Sequence, residues 1–322
     1  MRALITGGAG FIGSHLAESL LEKKNEVYVI DNLSTGSLKN IEHLKGMKSF
    51  HFTKGSIIDE KKMKPLIKKA DIIFHLAAAV GVKYIIEKPL ESIKTNVHGT
   101  EMVLRLSERF GRKKVFLAST SEIYGKDRGG IYTFKETDDR LLGATTKWRW
   151  SYSCAKALDE FLSLAYYRDR KLPIVIGRFF NTCGPRQMGR YGMVVPRFIV
   201  QALSGKPITV YGDGKQTRCF LYVGDAVEAV MELAGTRRAV GEVFNIGNPG
   251  SITILGLAQK IKKLTGSKSR IRFMPYEKVY KVGFEDMRHR KPDISKIQKL
   301  VRFSPEVGID ELLKRTIDYF KR

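Results

Sequence analysis

The sequence has little cysteine and no long hydrophobic run. Its three cysteines, at positions 154, 183 and 219, are odd in number and lack the Cys-x-x-Cys spacing of zinc and redox sites. They predict neither a disulfide framework nor a metal site, and reduced thiols are expected. No apolar segment approaches the roughly 18 residues that a membrane-spanning helix needs, and the amino terminus lacks the pattern of a signal peptide. The expected location is the cytoplasm, without membrane association.

Acidic residues are also scarce, because 33 Asp and Glu stand against 57 Lys and Arg and leave a formal charge of +24. Such an excess can indicate a nucleic-acid partner. Here the lysines are scattered in short pairs, such as Lys23-Lys24 and Lys262-Lys263, rather than gathered in one stripe with aromatic residues. Most of this charge is therefore expected on solvated surfaces, and no nucleic-acid partner is predicted. An anionic small substrate, such as a diphosphate, fits the remaining excess.

What the sequence does have is a regular alternation of strand and helix patterns over its first half. Buried strands are predicted at residues 2–6, 26–30, 49–52, 72–76, 115–118 and 174–179. Helices are predicted between them at residues 11–23, 61–69, 90–110 and 152–167. Alternation of this kind predicts an α/β fold with a doubly wound, Rossmann-like parallel sheet.

A glycine-rich turn, with Gly7, Gly10 and Gly13, joins the first strand to the first helix. Glycine allows a tight turn, close approach of a pyrophosphate and close packing of helix on strand, and the helix N-terminus favours phosphate. Asp31 ends the second strand near the spacing that the dinucleotide fingerprint expects. An acid there binds ribose hydroxyls and repels a 2′-phosphate, so NAD is predicted rather than NADP. The residues expected at this cofactor site are Gly7, Gly10, Phe11, Ile12, Gly13, Asp31, Asn32 and Leu76.

The second half of the chain is less regular and predicts a smaller lobe. A length of 322 residues suits about two domains. We expect the NAD-binding domain over residues 1–178, with about 216–245 returning to it. A smaller α/β lobe that binds the substrate is expected over 179–215 and 246–322. Since ligands of such sheets bind beyond the C-terminal ends of the strands, this lobe is well placed to cap the crevice.

Tyr152 and Lys156 stand four residues apart and hence on one face of a predicted helix. The spacing alone selects nothing, because other tyrosines also precede a lysine by four residues, namely Tyr84, Tyr167 and Tyr211. Context favours Tyr152, which follows a strand ending in the polar run Ser119-Thr120-Ser121-Glu122. A tyrosine with its ordinary pKa near 10 is little ionised at neutral pH, so a tyrosine base needs positive charge nearby.

These motifs together resemble the extended short-chain dehydrogenase/reductase family, specifically its nucleotide-sugar epimerases, dehydratases and decarboxylases. The resemblance rests on the glycine turn, on Thr120-Ser121-Glu122, on Phe180-Asn181 and on Gly184-Pro185-Arg186, and it continues to Arg290-Lys291-Pro292-Asp293. It covers essentially the whole chain. It implies a homodimer that pairs through the helices near residues 90–110 and 152–167.

The resemblance also implies how the chemistry is divided. Tyr152 would be the general base that takes the proton of the sugar 4-OH, while hydride leaves C4 for a tightly bound, recycled NAD⁺. Thr120 would bridge Tyr152 to that hydroxyl. Lys156 would hold the nicotinamide ribose and, with the charge of oxidised nicotinamide, lower the pKa of Tyr152. Further cofactor contacts, carried over in the same way, are Lys83, Asn96 and, unless the backbone makes the adenine contact, Asp59.

Three residues bear on the product. In the 4,6-dehydratases of this family an Asp-Glu pair follows the threonine, whereas this chain has Ser121-Glu122, and a hydroxyl is a poor acid for that elimination. The run Thr-Ser-Glu resembles UDP-glucuronate decarboxylases, and Arg149, three residues before the tyrosine, agrees with that branch. The resemblance assigns substrate contacts to Arg149, Asn181, Arg186, Arg218 and Arg290, and guanidinium groups suit phosphate.

The leading prediction is therefore an NAD-dependent enzyme that oxidises C4 of a UDP-sugar and decarboxylates UDP-glucuronate. The alternative within enzymes is a UDP-hexose or UDP-uronate 4-epimerase, which would use the same base. A different class, a non-catalytic or nucleic-acid-associated member of the fold, is suggested only by the charge.

Overall fold

The computed structural model describes residues 1–126, 133–189, 193–278 and 287–321. The strands are β1 (Arg2–Thr6), β2 (Glu26–Asp31), β3 (Phe50–Lys54), β4 (Ile72–His75), β5 (Lys114–Thr120), β6 (Thr133–Phe134), β7 (Ile174–Phe179), β8 (Thr182–Cys183), β9 (Ile208–Tyr211), β10 (Thr217–Cys219), β11 (Leu221–Tyr222), β12 (Glu242–Ile246), β13 (Ser251–Thr253), β14 (Ile271–Met274) and β15 (Lys291–Pro292). The helices are α1 (Phe11–Glu22), α2 (Glu60–Lys69), α3 (Val82–Glu87), α4 (Pro89–Arg109), α5 (Arg149–Arg170), α6 (Val194–Leu203), α7 (Val223–Gly235), α8 (Ile254–Thr265), α9 (Ser295–Leu300) and α10 (Ile309–Lys321).

The centre of the described structure is a seven-stranded parallel sheet in the order β3-β2-β1-β4-β5-β7-β12. The chain winds outward from β1 in one direction and then from β4 in the other, so the strand order reverses between these two neighbours. That reversal opens a crevice at the C-terminal ends of β1 and β4. The predicted Rossmann-like α/β fold is confirmed.

Helices cover both faces of this sheet, which explains why its strands are apolar at successive positions. Ile5 and Phe74 face one core, to which α1 and α7 contribute. Leu4 and Ile73, their neighbours along the same strands, face a second core beside α2 and α4. None of the described helices combines the length and apolar character that crossing a membrane requires.

The smaller lobe has a core of its own between α6, α8 and α10, in which Phe198, Leu257 and Leu313 are buried. The return of the chain to the first domain is seen in α7, which packs on α1, and in β12, which extends the sheet beside β7. One segment departs from the division expected from the sequence. Ile297 and Val301, in and after α9, pack into the core of the first domain, because α9 lies against β12 rather than in the lobe.

Candidate active site

A cavity of about 1210 Å³ lies between the C-terminal ends of the strands and the smaller lobe. Its wall runs from the glycine turn after β1, past the ends of β4 and β5, to the loop before β15. The predicted residues that line it are Gly7, Gly10, Phe11, Ile12, Gly13, Asp31, Asn32, Leu76, Thr120, Ser121, Glu122, Arg149, Tyr152, Asn181, Arg186, Arg218 and Arg290. The fold therefore brings most of the predicted site together around one space.

The glycine turn is shaped for a pyrophosphate. Gly7 has a φ of +75°, and a Cβ there would come within 2.9 Å of the Ala77 backbone. A Cβ on Gly13 would overlap the Gly7 carbonyl, so side chains at these positions would push the helix away from the strand. Gly10 precedes α1 without any side-chain cap, which leaves the first N–H groups of the helix for an anion. These features fit the dinucleotide that the sequence predicts.

Asp31 lies at the end of β2, beside the glycine turn. Its Oδ2 accepts a hydrogen bond from the Ala9 amide at 3.0 Å, and its Oδ1 accepts one from the Leu33 amide at 2.8 Å. Burial raises the pKa of Asp31, although the backbone donors act in the opposite direction. The glycine turn and β2 thus hold the carboxylate in a fixed orientation at the cavity wall.

Three other expected cofactor contacts have different outcomes. Asp59 is not among the residues that line the cavity. Its carboxylate caps α2 by accepting a hydrogen bond from the Lys62 amide. The cavity wall is formed there by residues 56–58 instead. Asn96 lies behind the wall, where its side chain bonds to both the N–H and the C=O of Ala79 at 2.8 and 3.3 Å. The side chain of Lys83 lies outside the described residues. Asn96 therefore supports the cavity wall rather than forming it.

Tyr152 lies in the first turn of α5, beside the end of β5. Its side chain is buried, and the phenol lies close enough to the hydroxyl of Thr120, the last residue of that strand, for this hydroxyl to favour the phenolate. Burial, followed by the charges of Glu122 and Asp159, raises the pKa of Tyr152 above its usual value, and the Thr120 hydroxyl opposes this only in part. The strand end and the helix start together place a phenol and a hydroxyl at one point of the cavity.

Lys156 lies one turn after Tyr152 on the buried side of α5. Its ammonium donates to Asp159 Oδ2 at 2.8 Å, and both side chains are almost fully buried. Asp159 thus places a carboxylate beside the ammonium, and its negative charge acts to raise the pKa of Tyr152. The predicted lowering of the Tyr152 pKa by Lys156 together with oxidised nicotinamide stays a prediction. Asp159 is a residue of the site that the sequence reasoning missed, although its place three residues after Lys156 on the same helix could have indicated it.

A cluster of charges lies next to the tyrosine. Glu122 Oε1 is 2.6 Å from Arg290 Nη2, and Glu122 Oε2 is 3.4 Å from Arg149 Nη2. Arg290 also donates to Ser121 Oγ at 3.3 Å. Burial acts to raise the pKa of Glu122, but the guanidinium groups of Arg290 and Arg149 hold this pKa at about 2. Glu122 is therefore an anion bound between two cations, and Arg218 adds a third positive charge nearby.

Two further predicted substrate contacts, Asn181 and Arg186, already bind other groups of the protein. Asn181 lines the cavity and donates from Nδ2 to the Cys219 carbonyl at 3.0 Å. Arg186 reaches the cavity edge, but its guanidinium forms a two-pronged pair with Glu18 of α1 at 2.6 and 2.9 Å. Arg186 thus connects the loop after β8 to α1. The sequence did not indicate this contact, because Glu18 lies far from Arg186 along the chain.

The far end of the cavity contains residues that the sequence reasoning did not single out. Arg197 stacks on the ring of Tyr211, with its guanidinium carbon 3.7 Å from the ring centroid. Gln216 donates from Nε2 to the Tyr276 hydroxyl at 2.9 Å. All four line the cavity, so the lobe contributes a polar and aromatic wall opposite the cofactor crevice.

Comparison with known proteins agrees with this geometry. A family model described as GDP-mannose 4,6 dehydratase matches residues 4–316. The chain belongs to the extended short-chain dehydrogenase/reductase family. A curated relative from Bacillus cytotoxicus, a UDP-N-acetyl-alpha-D-glucosaminuronate decarboxylase, is 48% identical and covers 99% of this chain and 98% of the relative. UDP-glucuronic acid decarboxylase 1 of Danio rerio is 37% identical over 100% of this chain and 73% of its own length.

Solved structures of the same family are also similar. UDP-glucuronic acid 4-epimerase from Bacillus cereus, solved with UDP-glucuronic acid and NAD, has a TM-score of 0.89 at 31% identity and covers 100% of this chain and 99% of its own. UDP-glucose 4-epimerase from Thermotoga maritima, solved with UDP-glucose, has a TM-score of 0.89 at 32% identity with the same coverage. The family assignment confirms the predicted class, an NAD-dependent enzyme that modifies nucleotide sugars.

Proposed function

We propose that this protein is an NAD-dependent decarboxylase of a UDP-uronate, with UDP-glucuronate as the first substrate to test. The observation that carries the proposal is the position of Glu122 between Arg149 and Arg290. This cluster lies at the cavity wall next to Tyr152 and Thr120. A cationic group of this kind beside the base suits a sugar that carries a carboxylate near its reacting carbon.

The balance of charge supports an anionic sugar. Arg149, Arg218 and Arg290 place three guanidinium groups around the single carboxylate of Glu122. Each arginine is at least nine-tenths buried, and a buried cation needs a counter-ion. The Nε–H of Arg290 is buried and meets no acceptor among the described residues. A substrate carboxylate would supply both the missing charge and an acceptor.

The relatives support the same reaction. Those named above as decarboxylases act on a UDP-sugar with a carboxylate at C5, and they match this chain over at least 99% of its length. They differ from one another in the substituent at C2. The proposal therefore covers UDP-glucuronate and its 2-acetamido counterpart as one substrate class.

The residues of the cavity can carry out the first step. The glycine turn and Asp31 would hold NAD⁺, which would supply the oxidant for C4 of the sugar. Tyr152 takes the proton of the 4-OH, and Thr120 holds that hydroxyl in line with the phenol. The positive charge of the oxidised nicotinamide would offset the burial that raises the pKa of Tyr152. Burial of Tyr152 keeps water away from the proton being moved.

Loss of carbon dioxide follows from the position of the new ketone. The C5 carboxylate is β to a C4 ketone, so cleavage of its bond to C5 releases carbon dioxide and leaves an enolate whose oxygen Tyr152 and Thr120 can hydrogen-bond. Protonation at C5 and return of the hydride to C4 would then give the pentose and restore the oxidised cofactor. Arg149 and Arg290 can orient the carboxylate before it leaves. Ser121 provides no carboxyl group beside the substrate, which disfavours elimination of the C6 hydroxyl as in a dehydratase.

A second candidate is 4-epimerisation, favoured by the structural similarity to 4-epimerases that include one for UDP-glucuronic acid. In that reaction the keto sugar turns over and takes the hydride back on its other face. Tyr152 and Thr120 would have the same roles. The two candidates differ in whether the carboxylate is lost.

Incubation of the purified enzyme with UDP-glucuronate, with its 2-acetamido analogue and with UDP-glucose separates the candidates. We expect mass spectrometry to detect a UDP-pentose that has lost carbon dioxide from one or both uronates, and no product from UDP-glucose. An unchanged mass with inverted C4, seen by NMR, would contradict decarboxylation and support the epimerase. Tyr152→Phe serves as the inactive control for either reaction.

We also propose that the enzyme is a homodimer. Helices α4 and α5 pack against each other, and their outer faces expose large apolar side chains. Leu90 and Phe161 are 64% and 66% exposed, and Ile93 and Leu158 are exposed as well. Large apolar side chains grouped on one exposed face indicate a contact surface.

A further inference from the structure

The inner side of α5 contains a buried ion pair one turn beyond the base. Lys156 Nζ and Asp159 Oδ2 are 2.8 Å apart, and their side chains are 3% and 1% exposed. Both residues belong to the same helix and are three positions apart. The pair therefore joins no two elements of the fold.

The next residue shows the contrast. Glu160 pairs with Arg178 of β7 at 2.7 Å and accepts a hydrogen bond from Ser119 of β5 at 2.5 Å. This second pair fastens α5 to the sheet and has a structural reason. Asp159 has none of these connections, and its Oδ1 is buried without a donor among the described residues. Because burying an ion pair costs desolvation energy, a pair that holds no elements together calls for another explanation.

The charges around Tyr152 explain why this ion pair is buried. Two carboxylates act on the phenol of Tyr152, namely Glu122 from the turn after β5 and Asp159 from α5 itself. His75 of β4 faces Lys156 from the sheet, and burial, aided by that ammonium, lowers the pKa of His75 to about 3. His75 is therefore neutral at physiological pH. Among the described residues, the carboxylates of Glu122 and Asp159 act on the phenol, and the guanidinium groups of Arg149 and Arg290 are paired with Glu122.

We propose that Asp159 is a positioning residue for the tyrosine base and acts through Lys156. Its carboxylate fixes the ammonium on the inner side of α5 and offsets the positive charge that would otherwise act on the phenol. The proposal rests on the proposed function only in taking Tyr152 as the base. It adds a residue to the pair of tyrosine and lysine that the sequence indicates.

The consequence is a shift in the pH at which Tyr152 ionises. Asparagine at position 159 keeps the shape of the side chain and an oxygen for the ammonium, but it removes a negative charge. Of the two carboxylates, Glu122 alone then opposes a phenolate, while burial of the phenol is unchanged. The phenol should therefore ionise at lower pH in Asp159→Asn than in the wild-type enzyme.

The test is a titration of the NAD-bound enzyme by the ultraviolet absorbance of phenolate. Subtracting the curve of Tyr152→Phe isolates Tyr152 from the other tyrosines of the chain. We expect the Tyr152 transition of Asp159→Asn to move down by ~0.5–1 pH unit, the range for loss of one nearby charge. The matched control is Asp169→Asn, which removes an exposed carboxylate near the end of the same helix and should leave the transition in place.

An unchanged or upward transition in Asp159→Asn would overturn the proposal, as would an equal shift in Asp169→Asn. If Asp159→Asn does not fold, Asp159→Ser replaces it, because serine leaves room for water beside the ammonium. The Tyr152 transition is again expected to move to lower pH. This titration needs no sugar. It therefore tests the role of Asp159 even if the enzyme does not decarboxylate UDP-glucuronate, and the two proposals are tested separately. With UDP-glucuronate present, the acid limb of the pH profile for transient NADH formation in a single turnover should move in the same direction.

Discussion

Tyr152 is the residue on which the proposed reaction depends most. Tyr152→Phe keeps the buried ring and removes the hydroxyl that would take the 4-OH proton. General-base catalysis of this kind contributes about 10²–10⁴-fold, so we expect kcat for oxidation of the sugar to fall by that factor. The measurement is the rate of UDP-pentose formation with saturating UDP-glucuronate, together with the transient NADH absorbance in a single turnover.

Tyr167→Phe is the matched control for this change. Tyr167 lies on the same helix and also precedes a lysine by four residues, but its side chain is 38% exposed and far along the helix from Thr120. We expect near wild-type rates. An equal loss of kcat in the two variants would contradict the assignment of Tyr152 as the base.

Glu122 links the charge cluster to acid stability. Its pKa of about 2 in the folded protein lies below the ordinary value of 4.5. The ionised form therefore stabilises the fold fully above the ordinary value, and this contribution is lost as pH falls towards 2. We expect the free energy of unfolding to fall between about pH 5 and pH 3 more steeply in the wild type than in Glu122→Gln. Urea unfolding at several pH values measures both slopes.

The control for Glu122 is Glu42→Gln, which removes a carboxylate at an exposed position. It should reproduce the wild-type slope. A Glu122→Gln slope as steep as that of the wild type would show that the arginine cluster does not stabilise the charged form. At neutral pH the Glu122→Gln variant should itself be less stable, since it leaves buried arginines without their counter-ion.

At the scale of the elements, the junction of β1 and α1 decides whether the cofactor binds. Gly13→Ala would place a methyl group against the Gly7 carbonyl and move the helix N-terminus away from the strand. We expect the affinity for NAD to fall at least about tenfold, the change for a loss of ~1.4 kcal/mol of binding free energy. Isothermal titration calorimetry with NAD measures this directly.

Gly235→Ala is the control for the glycine turn. Gly235 ends α7, and a Cβ there would meet no atom within 4 Å. It should bind NAD as the wild type does. Unchanged NAD affinity in Gly13→Ala would contradict the assignment of this turn to the pyrophosphate.

The elements themselves were readable from the sequence because their signals are local. Ala3, Leu4 and Ile5 form an apolar, buried run in β1. Gly7 and Gly10 mark the turn, and the observed α1 and β2 match the predicted bounds within one residue. The polar run at the end of β5 also marked the site correctly, because parallel strands bring their C-terminal ends to one edge. Local pattern thus predicted which end of the sheet holds the cavity.

Pairings between distant residues were not readable in this way. Arg290 meets Ser121 across 169 positions, and Arg186 meets Glu18 across 168, so no local pattern records either contact. Asp59 was one of two adenine contacts that the family resemblance implied, the backbone being the other, but its carboxylate caps the first turn of α2. Side chains with several possible partners are assigned by the tertiary fold and not by their neighbours in sequence.

For the whole molecule, the exposed face of α4 and α5 predicts the state of association. Phe161→Asp places a charge in the centre of that face, where burial in a dimer would cost several kcal/mol. We expect a dimer for the wild type and a monomer for the variant in size-exclusion chromatography with light scattering. The control is Tyr319→Asp, which changes another exposed aromatic residue, on α10. Identical masses for the wild type and Phe161→Asp would contradict this interface.

Helix α5 has two faces with different tasks, since Tyr152 and Lys156 lie on its buried side while Leu158 and Phe161 lie on its exposed side. A continuous helix from Arg149 to Arg170 cannot adjust one face without moving the other. If the partner subunit supports the outer face, the amount of active enzyme follows the law of mass action. Specific activity should then fall on dilution and recover on concentration, with a midpoint at the dissociation constant of the dimer.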